Sequence, residues 1–562
     1  MEIKSEIKNL ITEALKSLSL SSDIHLEHPD DFSHGDFSTN VAMVLAKERK
    51  QNPKFLAEDI RVKIPKSEWV EKTEVAGPGF INFYLSKKFF KESVSSVTDS
   101  FGKLQIYQGK TILVEHSSPN LFKPFHIGHM MNNAIGESVC RLAEYSGAKV
   151  IKISFPSDIS LGIAKAVWMI KKDGGMQFLK NQKTDLSGAI MKTLGDAYAR
   201  GNTAFEESEE VKAEIKETYK KIVEDVASEE FAIYDFGKKL NLSYFEHVSH
   251  RLGSRFDSFI FESEAGEVGE KIVRQNVPKV FTESEGAVVY EGEKDGLHTR
   301  VFINKEGYPT YEAKDIGLLS LKFGTFHPDL SIFITDHQQS SHFDVVLSAS
   351  LNIDPDWKNK SKHIPHGRMT FKGAKMSSRL GNVPLATDIL SAVSEEALSH
   401  MEKEDAFLAE KIAIAAIKFT ILKSEAGKNI NFDPETSLSF EGDSGPYLQY
   451  TIARCHSLLE KGKAEGFVKS EEPEESWSPS ELEKTIYKFP QVVEGAISSW
   501  APHYVATYLL ELARAFNSWY GHTKVLDKEN KNSGFNLMLV DKTTSILKNG
   551  LYILGIESPD RM

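Results

Sequence analysis

The sequence predicts a multidomain α/β protein: a Rossmann-like parallel-sheet core, a small α+β module before it and an all-helical region after it. Three observations carry this expectation. Thr111–Glu115 is a short apolar run that reads as a buried strand, and it runs into the polar loop Ser117-Ser118-Pro119-Asn120. After Lys123-Pro124 and the tetrapeptide His126-Ile127-Gly128-His129, apolar residues recur at helical spacing from Asn132 through Ala134, Ile135, Val139, Leu142 and Ala143. Two further apolar runs, Lys149–Phe155 and Leu330–Thr335, read as strands of the same parallel sheet. A strand, a glycine-bearing loop and a helix N-terminus together present free backbone N–H groups to a polyphosphate.

Size and composition bound the rest. The 562 residues are enough for three or four domains, and 40% hydrophobic with 26% charged residues describes an ordinary globular chain. Cys140 and Cys455 are the only cysteines, which argues against a disulfide framework and suits a reducing compartment. The first residues carry Glu2, Glu6 and Glu13 and resemble neither a secretory nor a transit signal, and no run approaches the roughly 20 apolar residues a membrane span needs. A cytoplasmic protein without a membrane partner is expected. The net charge of −12 by itself argues against a nucleic-acid partner and leaves room only for a local basic path.

Along the chain, residues 1–105 read as an independent α+β module. Ile3, Ile7, Leu10, Ile11, Ala14, Leu15 and Leu18 form one face of an opening helix, and Ser38, Thr39 and Asn40 offer N-caps to a second. The turn Val75–Gly79 leads into the alternating strand Phe80–Leu85. The core is placed at 106–390. Gly109-Lys110-Thr111 imitates the end of a P-loop, but Leu104 stands where its first glycine is required and a strand follows, so an ordinary P-loop is rejected. A helical insertion is expected at about 165–295, including an amphipathic stretch from Glu206 to Glu229. Tyr311–Phe323 reads as a helix with Tyr311 and Asp315 on one face. From 391 to 562 the chain reads as helical, with a stripe of Val505, Leu509, Leu512, Phe516 and Trp519 facing a core.

His126 and His129 stand three apart, so both can face one ligand at the helix entrance, and Gly128 leaves room for a nucleotide to approach. Taken alone, such a pair could equally be polar loop residues or half of a metal site, although zinc would need further ligands and the cysteines are remote in sequence. Tyr311/Asp315 could likewise be surface chemistry. Lys375-Met376-Ser377-Ser378-Arg379 could be a solvated basic turn, although a loop of this composition suits an α-phosphate and a departing pyrophosphate.

The longer string E-x-S-S-P-N-x-x-K-P-x-H-I-G-H, Glu115 to His129, resembles the HIGH signature of class I aminoacyl-tRNA synthetases in its arginyl-tRNA synthetase form. Tyr311/Asp315 and Gln339/His342/Phe343 resemble the Y-x-x-x-D-I and Q-x-x-H-F elements of that family, and Lys375–Arg379 resembles the KMSKS loop. The segments HGDFSTNVAMVLAK and VAGPGFINFYL resemble its N-terminal tRNA-contacting domain. GPYLQYTIAR, LARAFNSWYGHTKVL and LYILGIESPDRM resemble its helical anticodon-binding domain. Two positions depart. Ser378 replaces the second lysine of KMSKS, for which Lys123 is placed to compensate, and Ser157 departs from the family's G-D-x-G-like turn, in which Asp158 keeps the acidic position.

The resemblance implies activation of arginine with ATP and transfer to the terminal ribose of tRNA(Arg). His126, His129, Lys123 and Lys375 would be catalytic; Pro119, Gly128, Met376, Ser377, Ser378 and Arg379 would join them in ATP binding. Glu115, Ser117, Asn120, Tyr311, Asp315 and Gln339 would hold arginine, and Asn82, Tyr447 and Tyr450 would touch tRNA. Mg²⁺ would accompany ATP, with no tightly bound metal of the protein's own, and a monomer is expected. A guanidinium is planar and permanently charged, and a carboxylate such as Asp315 matches its fork. Lysine, ornithine or citrulline would leave that site mismatched, so discrimination needs no editing site. Another class I enzyme and a non-catalytic RNA-binding paralogue stay open. Cysteine specificity would call for zinc ligands, and a small nucleotidyltransferase would not need the C-terminal helices.

Overall fold

Five parallel strands form the central sheet in the spatial order Ser361–His366, Leu330–Asp336, Thr111–Glu115, Lys149–Ser154 and Ser258–Phe259. The computed structural model describes residues 3–29, 31–123, 125–182, 188–372, 385–401 and 403–562. The segment Lys375–Arg379 therefore lies outside the described residues. Among the described residues, no helix is long and apolar enough to cross a membrane.

Thr111–Glu115 is central in the sheet, paired with Leu330–Asp336 on one side and Lys149–Ser154 on the other. The chain leaves this strand toward one neighbour and returns later on the other side. Its C-terminal edge is thus the switch point where open α/β sheets bind ligands.

The helix after the central strand runs Ile127–Tyr145 and starts five residues before the periodicity indicated, inside the His126–His129 signature itself. Ser117, Leu121, Phe122 and Phe125 bury the preceding loop, and His126 serves as N-cap. Met130, Met131, Ala134, Ile135, Val139, Cys140, Leu142 and Ala143 are all buried, so apolar residues face every side of the helix. It is sandwiched between the sheet and the C-terminal helices Ala406–Leu422 and Ser533–Ile553, with which it shares one hydrophobic core. The expected stripe Val505, Leu509, Leu512 and Phe516 is buried in that same core.

Three expectations are corrected. The stretch 165–295 is not one helical insertion. Helices from Leu161 to Arg251 are followed by Ser258–Phe259, which pairs with Lys149–Ser154 at the sheet edge, and then by the helix Glu262–Gln275. A two-residue edge strand carries too short an apolar signal to read. The stretch Glu206 to Glu229 breaks at Ser208, whose hydroxyl accepts from the Val211 N–H and caps a new helix, and that helix ends at Glu224, so Val226 lies beyond it and is exposed.

Third, the N-terminal module is not fully independent. Its sheet, Phe37–Thr39, Phe80–Leu85 and Val70–Ala76, packs with its helices around a separate core. Tyr487 from the C-terminal helices enters that core, with its ring 5.3 Å from Phe89 and 5.8 Å from Phe90. His28 Nε2 adds a 3.0 Å hydrogen bond to Gln491. Ser38 is a strand residue rather than a cap, whereas the Thr39 hydroxyl, at the strand's end, accepts from the Val41 N–H at 3.3 Å where the second helix begins.

Candidate active site

The helix entrance is wired by its own histidines. The His126 N–H donates to His129 Nδ1 at 3.1 Å, and the Gly128 N–H donates to His126 Nδ1 at 3.1 Å. Each Nδ1 is thus an acceptor, which in a neutral imidazole leaves the proton on Nε2. Burial holds both rings below the usual histidine pKa, His129 well below it, and each also lowers through nearby positive neighbours. The ring centroids lie 4.1 Å apart. Two neutral Nε2–H donors therefore stand together at the positive end of a helix. Gly128 fits this packing: a Cβ there would lie 3.0 Å from His126 Cε1 and press on the ring.

Asn132 holds three strand ends together. Its Oδ1 accepts from the Ser117 N–H at 2.6 Å, and its Nδ2 donates to the Ile334 carbonyl at 2.7 Å and reaches His366 Nε2 at 3.2 Å. His366 opens the stretch that leads to residues 373–384. Beyond them, Leu385 pairs with His126 and the Ala386 N–H donates to the Phe125 carbonyl at 2.7 Å. The flank after the Lys375–Arg379 segment is thereby fastened to the histidine signature. Lys123 is exposed, with Nζ 4.8 Å from the centroid of the Tyr198 ring.

On the other side of the central strand lies a cluster of four carboxylates, each facing a cation of the chain. Glu115 pairs with buried Lys322, and Glu262 with Lys314 at 2.6 Å. Asp315 Oδ2 lies 2.5 Å from His342 Nε2, and Glu312 Oε1 lies 3.4 Å from His342 Nδ1 and 3.5 Å from Arg300. Glu115, Asp315, Lys322, Phe333 and Phe343 line a gap of only about 10 Å³. Two glycines bring Glu262 into the cluster. The helices Glu262–Gln275 and Tyr311–Phe326 cross so closely that a Cβ at Gly269 would lie 1.8 Å from the Ala313 carbonyl, and one at Gly317 1.9 Å from that of Ala265.

The sequence-assigned residues separate into two sets. His126, Gly128 and His129 gather at one end of the site, and Glu115 and Asp315 share the gap at the other. Tyr311 is 63% exposed at the start of its helix. Gln339 is exposed in a single turn after Leu330–Asp336, and Asn120 is exposed beside Ser157. Pro119 is buried, and its carbonyl accepts from the Ser157 N–H at 2.9 Å.

Other assignments are corrected. Ser117 is buried, with its hydroxyl bonded to His116 Nδ1 and Asn133 Nδ2, which shapes the loop. Asn82, assigned to tRNA, is buried in the N-terminal sheet, where its Oδ1 accepts from the Ser38 hydroxyl at 2.8 Å. Tyr447 turns its hydroxyl inward to accept from Asn517, whereas Tyr450 is exposed with the Arg454 guanidinium 4.9 Å from its ring centroid. Asp158 is fully buried and accepts from Lys238, Tyr234 and Ser263, which fastens the helical region to the sheet.

Sequence reasoning missed Glu262, Asn132, Lys322 and Tyr198. Glu262 is buried with Oε2 unpartnered and its pKa raised by burial. Each sits on a helix of ordinary composition, and only the strand and helix crossings bring them to the site. One further trio, His116, Glu137 and Cys140, has ligand spacing, but Glu137 already pairs with Arg141 at 2.8 Å and Lys152 at 3.2 Å.

Comparison with known proteins covers the chain from end to end. Residues 3–85 match the family described as arginyl tRNA synthetase N terminal domain, residues 94–433 that described as tRNA synthetases class I (R), catalytic domain, and residues 448–562 the DALR anticodon binding domain. The arginine–tRNA ligase of Clostridium perfringens is 30% identical, over 99% of this chain and 100% of its own length. That of Streptococcus agalactiae is also 30% identical, over 100% and 99%. The solved structure of Thermus thermophilus arginyl-tRNA synthetase superposes with a TM-score of 0.82 at 24% identity, covering 99% of this chain and 100% of that one.

Proposed function

The chain belongs to the arginyl-tRNA synthetase family, and from that premise we propose how its own side chains divide the reaction. The enzyme joins arginine to ATP to form arginyl-adenylate and pyrophosphate, then transfers the arginyl group to the 3′-terminal adenosine of tRNA(Arg). In the first step an arginine carboxylate oxygen bonds to the α-phosphorus and pyrophosphate leaves. In the second a ribose hydroxyl attacks the arginyl carbonyl, loses its proton and displaces AMP. The substrate supplies the nucleophile, so the protein's task is positioning and charge stabilisation.

The observation that carries the assignment is the pair of neutral imidazoles with both Nε2–H groups fixed by backbone donors. His126 and His129 donate to phosphate oxygens as charge builds on them, without the reorganisation that solvent would need. Pro119 and Gly128 shape the floor on which the nucleotide lies. Lys123, Lys375 and Arg379 follow the charge onto pyrophosphate, while Met376, Ser377 and Ser378 close over it. The fastening of Leu385 to His126 supports this role for the segment that precedes it.

Asp315 anchors the guanidinium with Tyr311 alongside, while Glu115, Asn120 and Gln339 meet the α-amino and carboxylate groups. Glu262 is added to this set because its buried carboxylate keeps an unpartnered oxygen near Asp315. Tyr450 is the tRNA contact retained in the helical region. Mg²⁺ comes with the ATP phosphates, since the His116–Glu137–Cys140 trio offers one oxygen ligand where magnesium wants six. The enzyme is taken to act as a cytoplasmic monomer.

The test is ATP–pyrophosphate exchange with each of the twenty amino acids, with and without tRNA. Exchange with arginine alone is expected. Exchange with another amino acid would overturn the Asp315 assignment, and exchange with none would overturn the catalytic assignment of His126 and His129.

A further inference from the structure

We propose that His342 is an internal counter-cation of the arginine site: its imidazolium and the guanidinium of arginine compete for the Asp315 carboxylate, so that arginine binding expels a proton. The inference rests on the assignment of Asp315 as guanidinium anchor.

The geometry is that of a cation held between two acids. Nε2 lies 2.5 Å from Asp315 Oδ2 and Nδ1 lies 3.4 Å from Glu312 Oε1, so both ring nitrogens face carboxylates. A neutral imidazole has one donor and one acceptor and cannot serve two carboxylates, whereas an imidazolium has two donors. The two acids stand three apart on one helix, and His342 enters from the helix Ser340–Leu351 packed across it.

The charges around the ring are accounted for on each neighbouring element. Glu312 and Asp315 face it from the helix Tyr311–Phe326, where Lys322 is already paired with Glu115. Arg300, on the strand Arg300–Ile303, lies 3.5 Å from Glu312 and 3.5 Å from the Ser341 hydroxyl. His363, on the edge strand, is held neutral by burial, with its pKa at about 4. Asp295 is taken by Tyr290 and the Ser348 hydroxyl, and Lys360 by Asp356 at 2.6 Å. Although burial opposes the charge, hydrogen bonds that the ring donates to Asp315 and then Glu312 raise the His342 pKa to about 9.

Of the cations in the cluster, His342 is the one able to yield near neutral pH. Lys322 is 2% exposed and Lys314 is bound to Glu262, and an ammonium gives up its proton far less readily than an imidazolium. A guanidinium stays charged. When it pairs with Asp315, the imidazolium keeps only Glu312, which Arg300 already faces, and it releases its proton to solvent and leaves Asp315 to the substrate.

The experiment is calorimetry of arginine binding to the full chain at pH 7.5, in two buffers of different ionisation enthalpy, with affinities followed from pH 6.5 to 8. That window keeps the α-ammonium of arginine largely protonated. Release approaching one proton is expected, with affinity rising up to about tenfold per pH unit. In His342→Gln the release should vanish and the affinity should become flat over the window. Native protein that binds arginine without proton release, or a His342→Gln variant that releases as many protons as the native chain, overturns the proposal. Asp315→Asn separates the two readings. If it binds arginine normally, the anchor assignment fails. If it loses arginine while native binding expels no proton, only the role of His342 fails.

Discussion

The two ends of the proposed active site are built by opposite means. At the nucleotide end the two imidazoles are uncharged, and the main chain itself fixes them through the N–H groups of His126 and Gly128. At the arginine end the working groups are charged, and every carboxylate faces a cation supplied by a neighbouring helix or strand. The nucleotide end is therefore ready to donate as it stands, because nothing has to break. The arginine end must exchange partners before a substrate cation can enter, and the gap between Glu115 and Asp315, about 10 Å³, is too small for a guanidinium without that exchange. Affinity at that end is a difference between two ion pairs rather than the strength of one.

The difference can be broken at the nucleotide end first, where the largest effect is expected. His129→Ala should lower the exchange kcat on the order of 10²–10³-fold with little change in the arginine KM, since it removes a donor that matters as charge develops. A raised arginine KM at unchanged kcat would move His129 to the other end of the site. The native kcat should also be flat from pH 8 down to pH 6, because both imidazoles have lowered pKa values and stay neutral as the pH falls. A fall in kcat through pH 6.5 would show that one of them is ionised in the active form.

At the arginine end, Asp315→Ala should weaken arginine binding about 100-fold with the ATP KM unchanged, because it leaves cations facing one another without their carboxylate. Calorimetry reads this directly, and unchanged affinity would remove Asp315 from the site. A smaller effect tests the wiring itself. Gly128→Ala should lower kcat about tenfold in a folded protein, as its Cβ meets the His126 ring and turns Nε2 aside. If kcat is unchanged, the histidine geometry tolerates more than the backbone contacts indicate. The smallest effect is expected far from both ends. Tyr450→Ala should raise the tRNA KM in charging about fivefold, the low end of what a stacked aromatic contributes, and leave exchange measured without tRNA unaltered.

Much of the nucleotide end was legible in the sequence because it is local. Glu115 to His129 is one continuous string, and a strand, a loop and a helix start form wherever their apolar spacing and caps allow. Even there the helix begins at Ile127 rather than Asn132, since the two histidines cap it in a way that residue spacing does not display. The arginine end was only half legible. Tyr311 and Asp315 could be placed on one helical face, but Glu262 depends on the helices brought together at Gly269 and Gly317, and the contacts of Lys322 and His342 depend on a strand and a further helix packed against the same helix. The burial of Ser117 and Asn82 was not legible for a related reason, because polar residues in a loop and a strand look exposed until their buried partners are known.

The sequence by itself determined the family, the order of the three regions, the central strand and the residue types at the histidine signature. These follow from local periodicity and from strings of residues whose neighbours in space are also neighbours in the chain. The tertiary structure decided which imidazole nitrogen carries the proton, which carboxylates are already neutralised, and that Tyr487 joins the C-terminal helices to the N-terminal core. Those properties arise between elements far apart in sequence, where burial and close approach set charge and hydrogen-bond direction, and no local pattern encodes them.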